Sequence, residues 1–168
     1  DHNVVFFLDL NRTMNTQDVL SGNQYISRIV AAKSLITQII LSEPKFSYGL
    51  VIFNTRADYI LPPTFDTWTF LLYLSGITTN ILPAGKKDFT ALSWMFETSP
   101  YTSYIVLSDF DALPSSYIFP PHSSLIGIGS SMGDFVKYAN GVRYYDNGKS
   151  VFSARNDSRA KSFGVPYI

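Results

Sequence analysis

Two unbroken apolar runs in this chain each stop on an acid, and that pairing narrows the available folds more than any other feature. "VVFFLD" at residues 4–9 and "SYIVLSD" at residues 103–109 carry no charge until Asp9 and Asp109. A run that short, with no polar alternation, suits a strand covered on both faces. Residues 47–54 (SYGLVIFN) and 124–128 (SLIGI) read the same way. Between them lie helical patterns. Residues 23–41 put Ile29, Ala32, Ile36, Ile39 and Ile40 on one stripe, widened by Ala31 and Leu35, and Pro44 ends the helix. Residues 66–75 predict a second helix capped by Asp66 or Thr67, and residues 88–98 a third with Asp88 as its cap. Apolar strands alternating with helices specify an α/β fold, here a three-layer, doubly wound domain on a mostly parallel sheet.

Two departures from the parallel pattern are expected. A tight turn at residues 54–56 leads into "ADYIL", residues 57–61, as one antiparallel edge strand, and "PPTFD" follows as a loop. Near the C-terminus, "VRYYDNGKSVFS" at residues 142–153 has strand residues on both sides of Asn147-Gly148, a strong hairpin signal. A short helix at residues 156–163 and a last strand at residues 166–168 would close the domain. No repeat, low-complexity tract or linker interrupts the chain, so residues 1–168 read as one domain.

Composition matters mainly for what it excludes. Apolar residues at 46% against 15% charged indicate a packed core and not a disordered chain. Basic and acidic residues balance, 13 against 13, and no basic cluster stands out, so nucleic acid is not a partner. With no cysteine there is no disulfide, no thiolate chemistry and no cysteine-held zinc. No apolar run reaches the roughly 18 residues of a membrane span. The chain starts almost directly on a core strand and without Met, which reads as a piece of a longer protein.

The chemistry gathers where strands end. If the two strands that end on these acids are neighbours, Asp9 and Asp109 face one crevice. Asn11 and Thr13 follow Asp9 at alternate positions and bring an amide oxygen and a hydroxyl. A hard cation such as Mg²⁺ takes about six oxygens, some from water. Alone, Asp9 reads as a turn acid that accepts backbone N–H groups; together with Asp109 it reads as part of a cation site.

Asp9-x-Asn11-x-Thr13 resembles the Asp-x-Ser-x-Ser that opens the metal-ion-dependent adhesion site of von Willebrand factor A (vWA) domains. "IVLSDFD", residues 105–111, resembles that family's Ile-Val-Leu-x-Thr-Asp-Gly, with Asp109 at the site position. "SRIVAAK" and "YGLVIFNTRADYILPPTFD" resemble the family's first helix and second strand with hairpin. "GIGSSMGDF" and "DNGKSVFSARND" resemble the tail of the bacterial aerotolerance (Bat) proteins. The likeness spans nearly the whole chain. One position departs. Where the family carries a Thr before its third helix, this chain has "GKKDFTAL", with Lys86 or Lys87 in that place. A protonated lysine cannot ligate a metal, and it neutralises nearby carboxylates instead.

The resemblance therefore implies a degenerate metal site at Asp9, Asn11, Thr13 and Asp109, binding Mg²⁺ or Mn²⁺ weakly or not at all. It implies a non-enzymatic, protein-binding domain that uses the rim at Arg12, Lys86, Lys87 and Asp111. It also implies a membrane-anchored bacterial parent with the domain on the periplasmic or extracellular side, associated with a MoxR-type ATPase. One alternative is a functional Mg²⁺- or Mn²⁺-dependent adhesion site. A second is a serine hydrolase, since "GSSMG" places Ser131 in a Gly-x-Ser-x-Gly elbow. Against that stands the order of His2 and His122, both before the serine.

Overall fold

The computed structural model describes residues 2–97, 99–110, 117, 119–120 and 123–129, together with the backbone of two further strands at Val142–Asp146 and Lys149–Ser153. In chain order the elements are β1 (Asn3–Asp9), β2 (Val19–Ser21), β3 (Gln24–Ile26), α1 (Arg28–Ser42), β4 (Ser47–Phe53), β5 (Ala57–Thr64) and α2 (Thr67–Ser75). Then come β6 (Thr102–Ser108), β7 (Ser123–Gly127), β8 (Val142–Asp146) and β9 (Lys149–Ser153). Among the described residues, seven strands form one sheet in the order β5-β4-β1-β6-β7-β8-β9. β4, β1, β6, β7 and β8 run parallel; β5 and β9 are antiparallel to their neighbours and lie at the two edges.

The centre of the sheet is β1, which pairs with both β4 and β6. The chain leaves β1 toward one edge and later returns to build the other. β1 and β6 therefore flank the switch point, where a crevice opens at the strand ends. Leu8 stands opposite Leu107 in the register, so Asp9 and Asp109 emerge at the same edge, as expected from the sequence.

Alternation along β1 divides the core in two. Val4, Phe6 and Leu8 pack toward α1 and α2, with Ile36, Ile39, Phe70 and Leu74 among the covering residues. Val5 and Phe7 face the other way, onto Tyr104, Val106, Phe89 and Leu92. The predicted stripe on α1 is the buried one: Ile29, Ala32, Ile36, Ile39 and Ile40, with Ala31 and Leu35 beside them.

Several boundaries differ from the sequence reading. The first helix begins at Arg28 and not at residue 23, because β2 and β3 form a small antiparallel hairpin ahead of it. That hairpin turns at Gly22-Asn23, with Gly22 at φ +61, a value glycine adopts without steric cost. Ser27 then caps α1 by accepting the Val30 N–H at 3.2 Å. The third helix is a 3₁₀ segment, Phe89–Trp94, and not an α-helix over 88–98. Asp88 caps it as predicted, but its carboxylate closes on the Thr90 N–H at 2.9 Å, two residues on. The segment buries Phe89 and Leu92, three apart, and a 3₁₀ helix eclipses such positions. β5 also runs further than residue 61. It includes Pro62 and Pro63, which fall in the register shift between the Leu50–Leu61 and Tyr48–Thr64 pairs, where neither has a β4 partner to donate to. The tail hairpin is present, with Asp146 paired to Lys149 across a two-residue connection. The expected helix at 156–163 and strand at 166–168 lie outside the described residues.

The facing of α1 can be checked by substitution. Ile36 is fully buried, and Ile36→Ala should lower stability by about 2–5 kcal/mol. Val30→Ala, on the exposed face, should stay within roughly 0.5 kcal/mol of the parent. Urea titrations of the two variants test this; similar losses would mean that the helix is rotated.

Candidate functional site

The parallel strands β1 and β6 deliver Asp9 and Asp109 to the crevice, and both are buried, at 0% and 3% side-chain exposure. Two carboxylates that close in a low-dielectric setting repel, so something must offset them. The Lys87 side chain, only 4% exposed, lies between them. Its Nζ is 2.7 Å from Asp9 Oδ2 and donates to Asp109 Oδ1. One charge pair at ~4 Å and an effective dielectric near 20 is worth about 4 kcal/mol, and Lys87 makes two such contacts against the desolvation cost of its burial.

The remaining carboxylate oxygens are also bonded. Asp9 Oδ1 accepts the Asn11 N–H at 2.8 Å, and Asp9 Oδ2 accepts the Ser108 hydroxyl at 2.6 Å. Asp109 Oδ2 accepts the Thr13 hydroxyl at 2.5 Å and Arg28 Nη1 at 2.9 Å. Arg28 in turn forms a fork on Asp18, Nη2 to Oδ2 at 2.7 Å and Nε to Oδ1 at 3.0 Å. The crevice is thus a chain of alternating charge: Asp18, Arg28, Asp109, Lys87, Asp9.

Protonation follows from this geometry. Burial raises the Asp9 pKa above its usual value; the Lys87 ammonium opposes that rise and the Asp109 charge adds to it. Burial works against the charge on Lys87, but Asp9 and then Asp109 attract it strongly enough to lift its pKa above the ordinary lysine value. The hydrogen bond to Asp18 raises Arg28 as well, with burial opposing. Lys87 and Arg28 are therefore cations at neutral pH.

The loop carrying Lys87 is tied to the end of β4. Asn54 Nδ2 donates to the Pro83 carbonyl at 2.7 Å, the Thr55 hydroxyl to the Lys86 carbonyl at 2.5 Å, and the Asp88 N–H to the Asn54 carbonyl at 2.8 Å. Asn11 Nδ2 adds a bond to the Gly85 carbonyl at 3.1 Å. Gly85 passes so close to Thr55 that a Cβ there would lie 2.2 Å from Thr55 Oγ1.

On the far side, Phe110 has φ +54, a left-handed value unusual for a bulky residue. Its N–H bonds Ser108 Oγ at 2.9 Å and its ring stacks on Phe89 at 5.9 Å. Packing thus holds a strained backbone that turns Asp109 back into the crevice.

Of the site residues expected from sequence, Asp9, Thr13 and Asp109 converge. Asn11 caps a short 3₁₀ turn, its Oδ1 accepting the Thr13 N–H at 3.2 Å, and does not point at the cation. Of the two candidate lysines, Lys87 enters the crevice, while Lys86 and Arg12 are exposed on the rim. Lys87 is correspondingly a buried crevice residue and not part of the outer rim. Asp111, His122 and Ser131 lie outside the described residues. Arg28, Asp18 and Ser108 were not anticipated. A signal existed for Arg28: a cation in the first turn of a helix opposes the helix dipole and calls for an anion nearby.

A divalent ion does not suit this donor set. It would need the carboxylate oxygens that Lys87 and Arg28 already occupy, and it would meet two fixed positive charges.

Comparison with solved structures identifies the fold. BatB from Bacteroides thetaiotaomicron superposes with a TM-score of 0.61 at 17% identity, over 97% of this chain and 85% of that one. The fold is that of a von Willebrand factor A domain. An aerotolerance-related membrane protein from Bacteroides fragilis gives 0.58 at 19% identity, over 100% of this chain and 90% of that one. A von Willebrand factor type A structure from Catenulispora acidiphila gives 0.54 at 14%, over 77% of this chain and 34% of that one. No family model and no curated protein matches the chain. This vWA fold thus carries a lysine where the site sequence suggested a metal ion.

Removing that lysine should expose the carboxylate repulsion. Lys87→Met should lower stability by about 3–5 kcal/mol at neutral pH. The deficit should narrow on acidification, when a proton shared by the two carboxyls replaces the ammonium. Because folding raises the Lys87 pKa, its contribution is complete below the unfolded value of about 10.4 and is lost as pH rises through the higher folded value. Urea titrations of both proteins across this pH range test the sign; a pH-independent gap would refute it. Phe110→Gly should relieve about 1–2 kcal/mol of backbone strain but forfeit a buried ring worth about 3–5, for a net loss of about 2 kcal/mol.

Proposed function

We propose that this vWA domain binds a protein partner at the rim of the crevice without a metal ion and without catalysis. The observation that carries this reading is the Lys87 ammonium between Asp9 and Asp109. In that position an internal cation performs the structural task of a bound metal: it neutralises the crevice and fixes the loops around it. What it cannot do is offer an open coordination position to a partner's carboxylate. Recognition then falls to the rim, where Arg12 and Lys86 are exposed and suit an acidic patch on the partner.

The likeness to the Bat proteins supports a parent anchored in a bacterial membrane, with this domain on the periplasmic or extracellular side and a MoxR-type ATPase in the same system. Two of the similar structures are described as a membrane protein and a membrane-spanning protein. No helix among the described residues is long and apolar enough to cross a membrane, so an anchor would lie in other segments.

Two measurements test the reading. Added Mg²⁺ or Mn²⁺ should barely move the melting temperature of the parent chain. A ligand that binds only the folded state contributes about 2.7 kcal/mol at a hundredfold excess over its Kd. Lys87→Thr should create such a metal-dependent shift, and Asp9→Ala in the same chain should abolish it. Photo-crosslinkers at positions 12 and 86, introduced in the native host, should capture one partner equally well with and without chelator. Capture that requires Mg²⁺, or a large metal-induced stabilisation of the parent, would restore the metal-dependent adhesion reading.

A further inference from the structure

The outer face of α2 does not look like the solvent side of a helix. Its nine residues, TWTFLLYLS, include no charge. Phe70 and Leu74 face the core, yet Trp68 is 80% exposed and Leu72 63%, with Tyr73, Phe65 and Ile81 also in the open. A surface helix normally carries its charges on this side. The three exposed aromatics and their aliphatic neighbours together offer several hundred Å² of apolar surface, on the order of the centre of an interface burying about 800 Å² per partner.

The face has both a knob and a hollow. Trp68, Leu72 and Gly76 follow at spacings of four and so share one stripe. Trp68 projects at one end. At the other, a hollow of about 560 Å³ opens beside Gly76, walled by Leu72, Tyr73, Tyr59 and Ile81. Gly76 has φ −85 and ψ −5, ordinary helical values that any residue adopts. A Cβ there would meet only the Tyr73 carbonyl oxygen, at 3.7 Å. Neither backbone conformation nor crowding demands glycine at this position; its effect is to leave the hollow open.

We propose that α2 is a docking face for a second copy of this chain, with the two helices antiparallel about a two-fold axis at Leu72. That axis sets Leu72 on its own counterpart and brings Trp68 of each copy over Gly76 of the other. A two-fold interface must be self-complementary, and knob against hollow at equal distances from Leu72 satisfies that condition. Charge at the helix ends agrees. Lys33 Nζ bonds the Ser75 and Ile77 carbonyls at 3.2 and 2.9 Å and forms no ion pair among the described residues. Asp66 caps the opposite end of α2. The same axis brings Asp66 of one copy next to position 78 of the other, beside the Lys33 ammonium, and pairs the helix dipoles head to tail.

Sedimentation velocity of the full chain over a concentration series tests the pairing. A concentration-dependent dimer is expected. Trp68→Ser should weaken it by at least about tenfold, as loss of a buried Trp anchor does. Gly76→Leu, which fills the hollow, should weaken it comparably. Both positions are exposed, and thermal melts should confirm that each variant folds. A parent chain that stays monomeric at every concentration overturns the proposal. So does a dimer indifferent to both changes, which would use another face, or one sensitive to Trp68→Ser alone, which would contradict the register. A monomer that instead co-floats with uncharged phosphatidylcholine vesicles would assign this face to lipid.

Discussion

A lysine ammonium closed between two buried carboxylates is the interaction on which the crevice end of this domain depends. Parallel pairing of β1 with both β4 and β6 brings Asp9 and Asp109 to the same edge, and two ionised carboxylates buried there call for a cation. A metal ion must be recruited from solution and can leave. Lys87 is attached, and its local concentration is set by a short tied loop. The desolvation of three charged groups is considerable, and the gain over an apolar replacement is small or negative in many proteins. What such a cluster supplies is a unique arrangement of loops, because each oxygen of the two carboxylates has a named donor.

That arrangement reaches well beyond the lysine. Asn54 and Thr55 tie the 83–88 loop to the end of β4, Arg28 connects α1 to β6, and Asp18 connects the approach to α1 back to Arg28. Arg28 also lies against Gly129, whose φ of +150 and lack of a Cβ leave room for the guanidinium. Loops from four strand ends thus share one electrostatic knot. Loops are the part of an α/β domain most free to move, and here their positions are coupled.

Much of this was legible in the residues. Uninterrupted apolar runs identified the buried strands because burial on both faces leaves no polar alternation to confuse with a helix. Asp9 and Asp109 stood out because acids at the ends of such runs have nowhere to go except a crevice. Local competition was harder to read. Residues 24–26 are compatible with a helix, and only the Gly22-Asn23 turn tips them into a strand. Residues 88–98 carry a helical cap, but the spacing of Phe89 and Leu92 and the tight closure of Asp88 on Thr90 favour a 3₁₀ turn. Whether Lys86 or Lys87 entered the crevice could not be decided from spacing, because one residue of loop length reverses the side that each faces. The choice rests on where Thr55 and Asn54 hold the backbone.

The edge strand β5 has a further consequence. An exposed strand with unpaired backbone groups is a template on which a neighbouring chain can polymerise. At its far end β5 carries Pro62 and Pro63, which remove two donors in succession, and Pro63 is wedged against Gly49 of β4, where even a Cβ would come within 3.1 Å of it. An incoming strand could register with the first half of β5 but would find no continuing ladder. The same residues that extend the sheet thus also end its growth, and a chain so rich in apolar strands is protected from cross-β aggregation at that margin without placing a single lysine on it.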